Sequence, residues 1–385
     1  MKILHVNYHD IRGGAALAAF RLCRAQRERG LDARMLTVEK LSDDPWVGTV
    51  PAGAALRMKI LQRGEHWLHR LCGDRRNFMP RSLNLFPCGT LKAIEALRPD
   101  IVHLHWVNGQ MLSLGEIPRI PFPVVWTLHD TWAYCGSEHH HLAGDTRYAA
   151  GYGGFSPEAF VWKRKLKLWR EFSPVIAGPS AWISREAKDS RLFRNCRVEH
   201  IFNGIDLKTF RPRPREEARR FWGIPDEARV IVIGAVSLRD PNKGGPLLTE
   251  TLAAFPDATV LAVGGNVPAG LHGKIVAAGR IDDPEILALA YSAGDVFLSA
   301  ALYDNLPNMV IEALACGTCA VAVDTGGVGE IVGPSDGIVT PSKSGSLIEA
   351  LHVILEKRRH FFPSAARFDI AATAEKYEAL YRSLV

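Results

Sequence analysis

Residues 229–236 read Arg-Val-Ile-Val-Ile-Gly-Ala-Val, and the same kind of run returns as ATVLAVGG at 258–265, GDVFLSA at 294–300 and TCAVAVD at 318–324. Unbroken Val, Ile and Leu, in place of an alternation of apolar with polar, mean strands covered on both faces, as in parallel sheets flanked by helices. Each run is followed by Gly or Pro and then by an Ala- or Leu-rich stretch. Upstream the rhythm is the same: KILHVN at 2–7, a helical pattern from Ala15 to about Arg29, DARMLTV at 32–38, DIVHLHW at 100–106, VVWTLH at 124–129, SPVIAGPS at 173–180 and RVEHIFNG at 197–204. Each half therefore reads as an open, doubly wound α/β domain.

The length of 385 residues agrees with two domains. Between them IDLKTFRPRPREEARRFWGIP, residues 205–225, is rich in Pro and charge and has the composition of a linker, with the hinge near Asp206 to Pro214. The expected division is an N-terminal domain over 1–205, a C-terminal domain over 206–360, and a C-terminal helix over 361–385 that packs back on the first domain. Apolar residues make up 47% and charged residues 23%, which excludes a disordered chain. Seven thinly spread cysteines form no disulfide framework and fit a reducing cytoplasm. The N-terminal MKILHVNYHD lacks the apolar core of a signal peptide, and no run of about eighteen apolar residues offers a spanning helix. The net charge of +6 favours acidic partners without choosing among them.

In open parallel sheets ligands bind beyond the carboxyl ends of the strands, so the loops after strands carry the candidates. Gly13 and Gly14 open a helix whose positive end can approach a phosphate, or simply make a tight turn. His129 and Asp130 end VVWTLH, where a neutral imidazole can hydrogen-bond a sugar hydroxyl or a leaving group. His103 and His105 share one strand face, either as polar contacts to an acceptor or as a satisfied core pair. Cys135, Glu138, His139, His140 and His141 contain zinc-ligand types, but three consecutive histidines cannot point one way, so no metal site is expected. Lys243, just before a helix started by Pro246 and with Ser237 and Arg239 in the loop upstream, reads as an anion cradle for a diphosphate or as a solvated Lys-Gly turn. The most specific stretch is Asp304-Asn305-Leu306-Pro307-Asn308-Met-Val-Ile-Glu312, a polar loop leading into a short helix from about Asn308 to Gly317. A carboxylate there accepts from vicinal hydroxyls, the way acidic residues hold a ribose. Cys316 and Cys319 fit a redox pair on paper, but Cys319 begins a buried strand and reads as core.

Taken in order, these motifs resemble the retaining glycosyltransferase family 4, whose members have two Rossmann-like domains facing across a cleft, the GT-B arrangement. The resemblance covers almost the whole chain: Gly13-Gly14, His129-Asp130 with Trp132, GPSAWIS at 178–184, IFNGID at 201–206 with Asn203, Lys243-Gly244, and Asp304 eight residues before Glu312, followed by EALACGT. The loop Leu128 to Tyr134, LHDTWAY, is similar to a bacterial polysaccharide-assembly subgroup. The resemblance implies that Glu312 holds the donor ribose and that Asp304 with the 306–308 backbone holds the transferred sugar. Lys243, Gly13 and Gly14 would then meet the diphosphate, and His129 would face the reacting sugar. Asp304 stands where the family usually has Glu, Ser237 where it often has Arg, and Cys319 where it usually has Pro.

The expected function is transfer of a hexose from a nucleotide-diphosphate sugar to a glycan or lipid-linked glycan in bacterial surface polysaccharide synthesis, with retained configuration. No Asp-x-Asp triplet occurs, which agrees with a metal-independent mechanism, and no cofactor is expected. Alternatives are a sugar-nucleotide epimerase of similar shape, a glycogen-synthase-like polymerase, or a non-catalytic basic binder of anionic polymer; no nucleic-acid signature is visible. Two basic segments, FVWKRKLKLWREF at 160–172 and the region Arg57 to Arg81 with Arg75 and Arg76, set cations beside Trp and Leu. They suggest a cytoplasmic protein resting peripherally on the anionic inner face of the membrane, with ordinary solvated helix faces as the plain alternative.

Overall fold

The structure is a computed structural model that describes residues 1–72, 80–141, 144–267, 270–356 and 360–385. It divides into two compact units, Met1–Gly204 with Ala371–Val385, and Ile205–Ile370.

The first unit is built on seven parallel strands: β1 Lys2–Val6, β2 Asp32–Thr37, β3 Val47–Thr49, β4 Ile101–Leu104, β5 Val124–Thr127, β6 Val175–Gly178 and β7 Val198–His200. They run in the order β3-β2-β1-β4-β5-β6-β7, so the winding reverses between β1 and β4. The central strands β4, β5 and β6 are buried along their whole length, which is what their unbroken apolar runs require. The second unit has six: β8 Val230–Ser237, β9 Thr259–Gly265, β10 Lys274–Gly279, β11 Val296–Ser299, β12 Cys319–Val323 and β13 Gly337–Thr340. Their order is β10-β9-β8-β11-β12-β13, with the reversal between β8 and β11.

Several sequence expectations need correction. The segment 205–225 is not all linker: Arg215–Phe221 is a helix of the second unit, anchored because the buried Arg219 reaches Asp295 at 3.1 Å. Residues 361–369 are not part of the C-terminal helix, which spans Ile370–Arg382; the residues before it stay with the second unit, where Asp369 bridges Ile205. The basic segment 160–172 does not present one surface. It lies on the helix Pro157–Leu168 and just beyond it; Trp162, Trp169 and Lys165 are buried. Lys165 Nζ sits 3.8 Å over the Trp132 ring and donates to the carbonyls of Trp132, Cys135 and Gly136, tying down the loop after β5. Desolvation holds its pKa down at about 7.

The core of the first unit also contains polar rings. His5 on β1 and His103 and His105 at β4 are buried, with His103 and His105 rings 4.2 Å apart. The C-terminal helix closes over them: Tyr377 meets Thr127 at 2.8 Å, Tyr381 meets His103 at 2.6 Å, and Gln26 of the helix Gly14–Glu28 reaches Tyr381 at 3.2 Å. A buried polar cluster is tolerated only when its members find partners, and this one does.

Burial lowers the pKa of His5 to about 4 and drives those of His103 and His105 well below the usual imidazole value. Their unfolded forms titrate near pH 6.5, so below that pH the unfolded chain binds protons that the folded chain refuses, and stability falls. Between pH 6.5 and 5, above the main carboxylate range, the loss should approach about 1.4 kcal/mol per pH unit for each of the three rings. Melting curves through that window should drop accordingly; a flat melting temperature would contradict a neutral histidine core.

Candidate active site

In the second unit the two loops that flank the winding reversal are those after β8 and β11, the place where open α/β sheets receive ligands. After β8 comes a single 3₁₀ turn, Pro241–Lys243, capped by the Asp240 side chain on the Asn242 N–H, and then the helix Gly245–Leu252. After β11 the chain crosses residues 300–307 and enters the helix Asn308–Ala315. Backbone bonds clamp that crossing on two sides. The Leu302 N–H donates to Asn242 O at 2.8 Å, and the Gly327 N–H donates to Asn305 O at 2.8 Å. The Thr325 hydroxyl adds a bond to Leu302 O at 3.1 Å.

Glycine permits this closeness. A Cβ at 244, where φ is +71°, would collide with the Ala300 carbonyl, and one at 326, where φ is +53°, with the Asp304 carbonyl. The result is that Lys243 and Asp304, 61 residues apart, form an ion pair of 2.8 Å. Asp304 is the main reason that the Lys243 pKa is raised, so the amine is a cation. Glu312 lies in the buried face of its helix and accepts a 2.8 Å bond from the Tyr291 hydroxyl. Asn305, Leu306 and Pro307 are buried, and Asn308 is half-buried at the helix start. Ser237 accepts a bond from Asn266 at 3.2 Å. Arg239 does not join Lys243; it is exposed and lines a groove of about 610 Å³ with Thr249, Glu250 and His272.

In the first unit Gly13, at φ +90°, precedes the 15-residue helix Gly14–Glu28, whose N-terminus has no side-chain cap. Nothing stands within 4 Å of where a Cβ on Gly13 would be, so the positive φ and not crowding is what favours glycine there. His129 follows β5 and is half-buried; its Nε2 lies 3.0 Å from Nδ1 of His105. Desolvation brings its pKa down to about 4, with Asp130 opposing.

Three candidates of the acceptor group are structural. His103 and His105 are a satisfied core pair, for a strand buried on both faces leaves its side chains no route to an acceptor. Asp130 accepts from Trp106 Nε1 at 2.8 Å, the Trp132 N–H at 3.0 Å and His139 Nδ1 at 2.5 Å, so it organises its own loop. Burial raises its pKa, and His139, His140 and the Trp132 N–H bring it below the usual carboxylate range. Asn203 is half-buried at the end of the first unit. The residues Cys135 to His141 do not converge: His139 bonds Asp130 and Ser82, and His141 bonds Glu186. Cys316 and Cys319 are buried and unpaired, in line with core packing.

Sequence reasoning did not find Tyr291, the pairing of Lys243 with Asp304, or the partners of His129. Each depends on contacts between residues 21 to 61 positions apart.

Residues 12–209 match the sequence model of Glycosyltransferase Family 4, and residues 227–357 match that of Glycosyl transferases group 1. The chain is 24% identical over 399 aligned positions to D-inositol 3-phosphate glycosyltransferase of Mycolicibacterium smegmatis, covering 96% of this chain and 86% of that protein. Among solved structures it is similar to HepE of Anabaena in complex with UDP-glucose, with TM-score 0.67, 19% identity and full coverage of both chains. It is also similar to WaaG, a glycosyltransferase involved in lipopolysaccharide biosynthesis, with TM-score 0.63, 15% identity, and coverage of 100% of this chain and 99% of that one. The two doubly wound parallel sheets are those of the GT-B fold, and with its first unit matched almost end to end, the chain belongs to glycosyltransferase family 4.

Proposed function

We propose that the protein transfers a hexose from a nucleotide-diphosphate sugar to a glycan or lipid-linked glycan in bacterial surface polysaccharide synthesis, with retained configuration and without a metal. The observation that carries this reading is the clamped loop after β11, which sets Asp304 against Lys243 and Glu312 eight residues on. The UDP-glucose complex of HepE and the lipopolysaccharide role of WaaG support the donor and product classes.

The chemistry asks for charge stabilisation more than for a nucleophile. As the bond between the anomeric carbon and the diphosphate oxygen breaks, negative charge grows on the diphosphate. The Lys243 ammonium, prealigned by Asp304, is suited to receive it. Ser237, at the end of β8, adds a hydroxyl beside the same turn. Asp304 and the N–H groups of Leu306 and Asn308 read the sugar, and Glu312, oriented by Tyr291, holds the ribose. The acceptor oxygen attacks on the face the leaving group vacates, and its proton passes to the departing phosphate oxygen.

One helix also offers a membrane surface. On Ala52–Cys72, Leu56, Ile60 and Trp67 are all 60% or more exposed, and Arg57, Lys59 and Arg63 lie exposed beside them. Its acid, Glu65, is buried. That pattern matches an anionic lipid surface, with roughly 1 kcal/mol available per cation near it. Arg75 and Arg76 lie outside the described residues, and no helix among the described residues is long and apolar enough to cross a membrane.

With a sugar nucleotide that supports transfer, Lys243→Ala should lower kcat/KM by roughly 10²- to 10³-fold, and Glu312→Ala by about 10²-fold through the donor KM. EDTA should leave the wild-type rate unchanged. Full activity in either variant, or a rate abolished by EDTA and restored by a divalent ion, would contradict the mechanism. Sedimentation with vesicles should rise when phosphatidylglycerol replaces part of the phosphatidylcholine, and should fall in the double variant Ile60→Ser, Trp67→Ser. Equal sedimentation with both lipid mixtures would remove the membrane surface from the account.

A further inference from the structure

The buried rings of the first unit form one hydrogen-bonded chain whose direction follows from a single amide. Gln26 Nε2 donates to the Tyr381 hydroxyl at 3.2 Å, which turns its oxygen to His5 Nε2 at 2.8 Å. An amide oxygen only accepts, so His5 carries its proton on Nε2. The ring is neutral, with burial holding its pKa near about 4, and its Nδ1 is therefore an acceptor. His105 Nε2 donates to that atom across 3.0 Å, which makes His105 Nδ1 an acceptor in turn. His129 Nε2 donates to it, also across 3.0 Å.

The other branch follows from the same amide. Tyr381, having accepted from Gln26, gives its proton to His103 Nδ1 at 2.6 Å. His103 then donates from Nε2 to Thr127 Oγ1 at 2.7 Å, and Thr127 donates to Tyr377 at 2.8 Å. Each of these bonds then pairs one donor with one acceptor. Turning the Gln26 amide over would reverse every proton in both branches, so this one side chain selects the tautomer of all four histidines.

We propose that Gln26 and Tyr381 are positioning residues for His129, holding it as the Nε2–H tautomer so that its Nδ1 lone pair is offered to a substrate hydroxyl. Among the described residues nothing bonds that Nδ1, and His129 is half-exposed where it lies. In this state His129 takes a hydrogen bond and cannot protonate the leaving phosphate. The C-terminal helix, more than 240 residues from β5, thereby belongs to the active site's support. The competing use of the cluster is as a metal site, since ligand atoms of His5, His103 and His105 lie within 4.8 Å of one another. A metal would have to break bonds the chain already makes, because both nitrogens of each of these rings are engaged.

This inference rests on the proposed transfer for its catalytic consequence, but its test does not. In the full-length protein with ¹⁵N-labelled histidine at pH 7.5, long-range ¹H–¹⁵N correlation should show His129 Nε2 protonated and Nδ1 bare. Gln26→Met, close in volume, should let His129 populate both tautomers, and Tyr381→Phe should do so more weakly. Both should lower kcat by roughly ten- to a hundredfold with little change in donor KM. A wild-type His129 protonated on Nδ1 overturns the proposal whether or not any variant folds. So does an equivalent of zinc in the purified protein, or a Gln26→Met protein that keeps both tautomer and kcat. A wild-type protein with the expected tautomer but inactive on every sugar nucleotide would instead overturn the transfer reading and leave the relay standing.

Discussion

The second unit depends on one close passage. The chain leaving β11 has to thread between the turn after β8 and the turn after β12, with no room for a side chain on either wall. Gly244 and Gly326 make that possible, and three hydrogen bonds then hold the crossing in place. Lys243 and Asp304 are brought to 2.8 Å only because the two backbones are already fixed. An ion pair that is partly exposed contributes little to stability by itself, so its value here is geometric: it fixes the Lys243 ammonium beside the loop after β11. The buried Arg219 bonded to Asp295, which also accepts from the Val230 N–H at 2.7 Å, pins the opposite ends of the same two strands.

The first unit works by a different constraint. It buries histidines where a core of this size would ordinarily use leucine or valine, and such rings cost free energy unless each nitrogen is satisfied. Residues from β1, the first helix, β4, β5 and the C-terminal helix all take part, which explains why the last fifteen residues pack with the first two hundred rather than with their neighbours in sequence. An apolar tail could have closed the same surface. A tyrosine-bearing one also orders protons.

Much of the architecture was legible from the sequence because buried parallel strands announce themselves as continuous apolar runs. β1, β2, β4 to β9, β11 and β12 fall on the stretches so read. β3, β10 and β13 were not legible, since β3 has only three residues and β10 is half-exposed along its length, leaving no apolar run to see. Candidates local in sequence, such as Gly13 at an uncapped helix start or Asp304 before a short helix, landed where the pattern put them. What stayed hidden was partnership. Lys165 reads as one cation in a basic segment, and only the packed structure shows it buried under Trp132. For His103 and His105 a signal was present: on a strand buried on both faces, two histidines two residues apart must be core groups with partners. His5 and Gln26 carried no such mark.

The account rests on a nucleotide-sugar donor, and its most direct test is a thermal-shift panel of UDP-, GDP-, ADP- and TDP-sugars on the full chain, because a ligand that binds only the folded protein raises its melting temperature. The predicted result is a saturable rise with the sugars of one nucleotide, also given by the corresponding free diphosphate and lost in Lys243→Ala. No shift with any of them, together with a salt-sensitive shift given by an oligonucleotide or an anionic glycan, would contradict it.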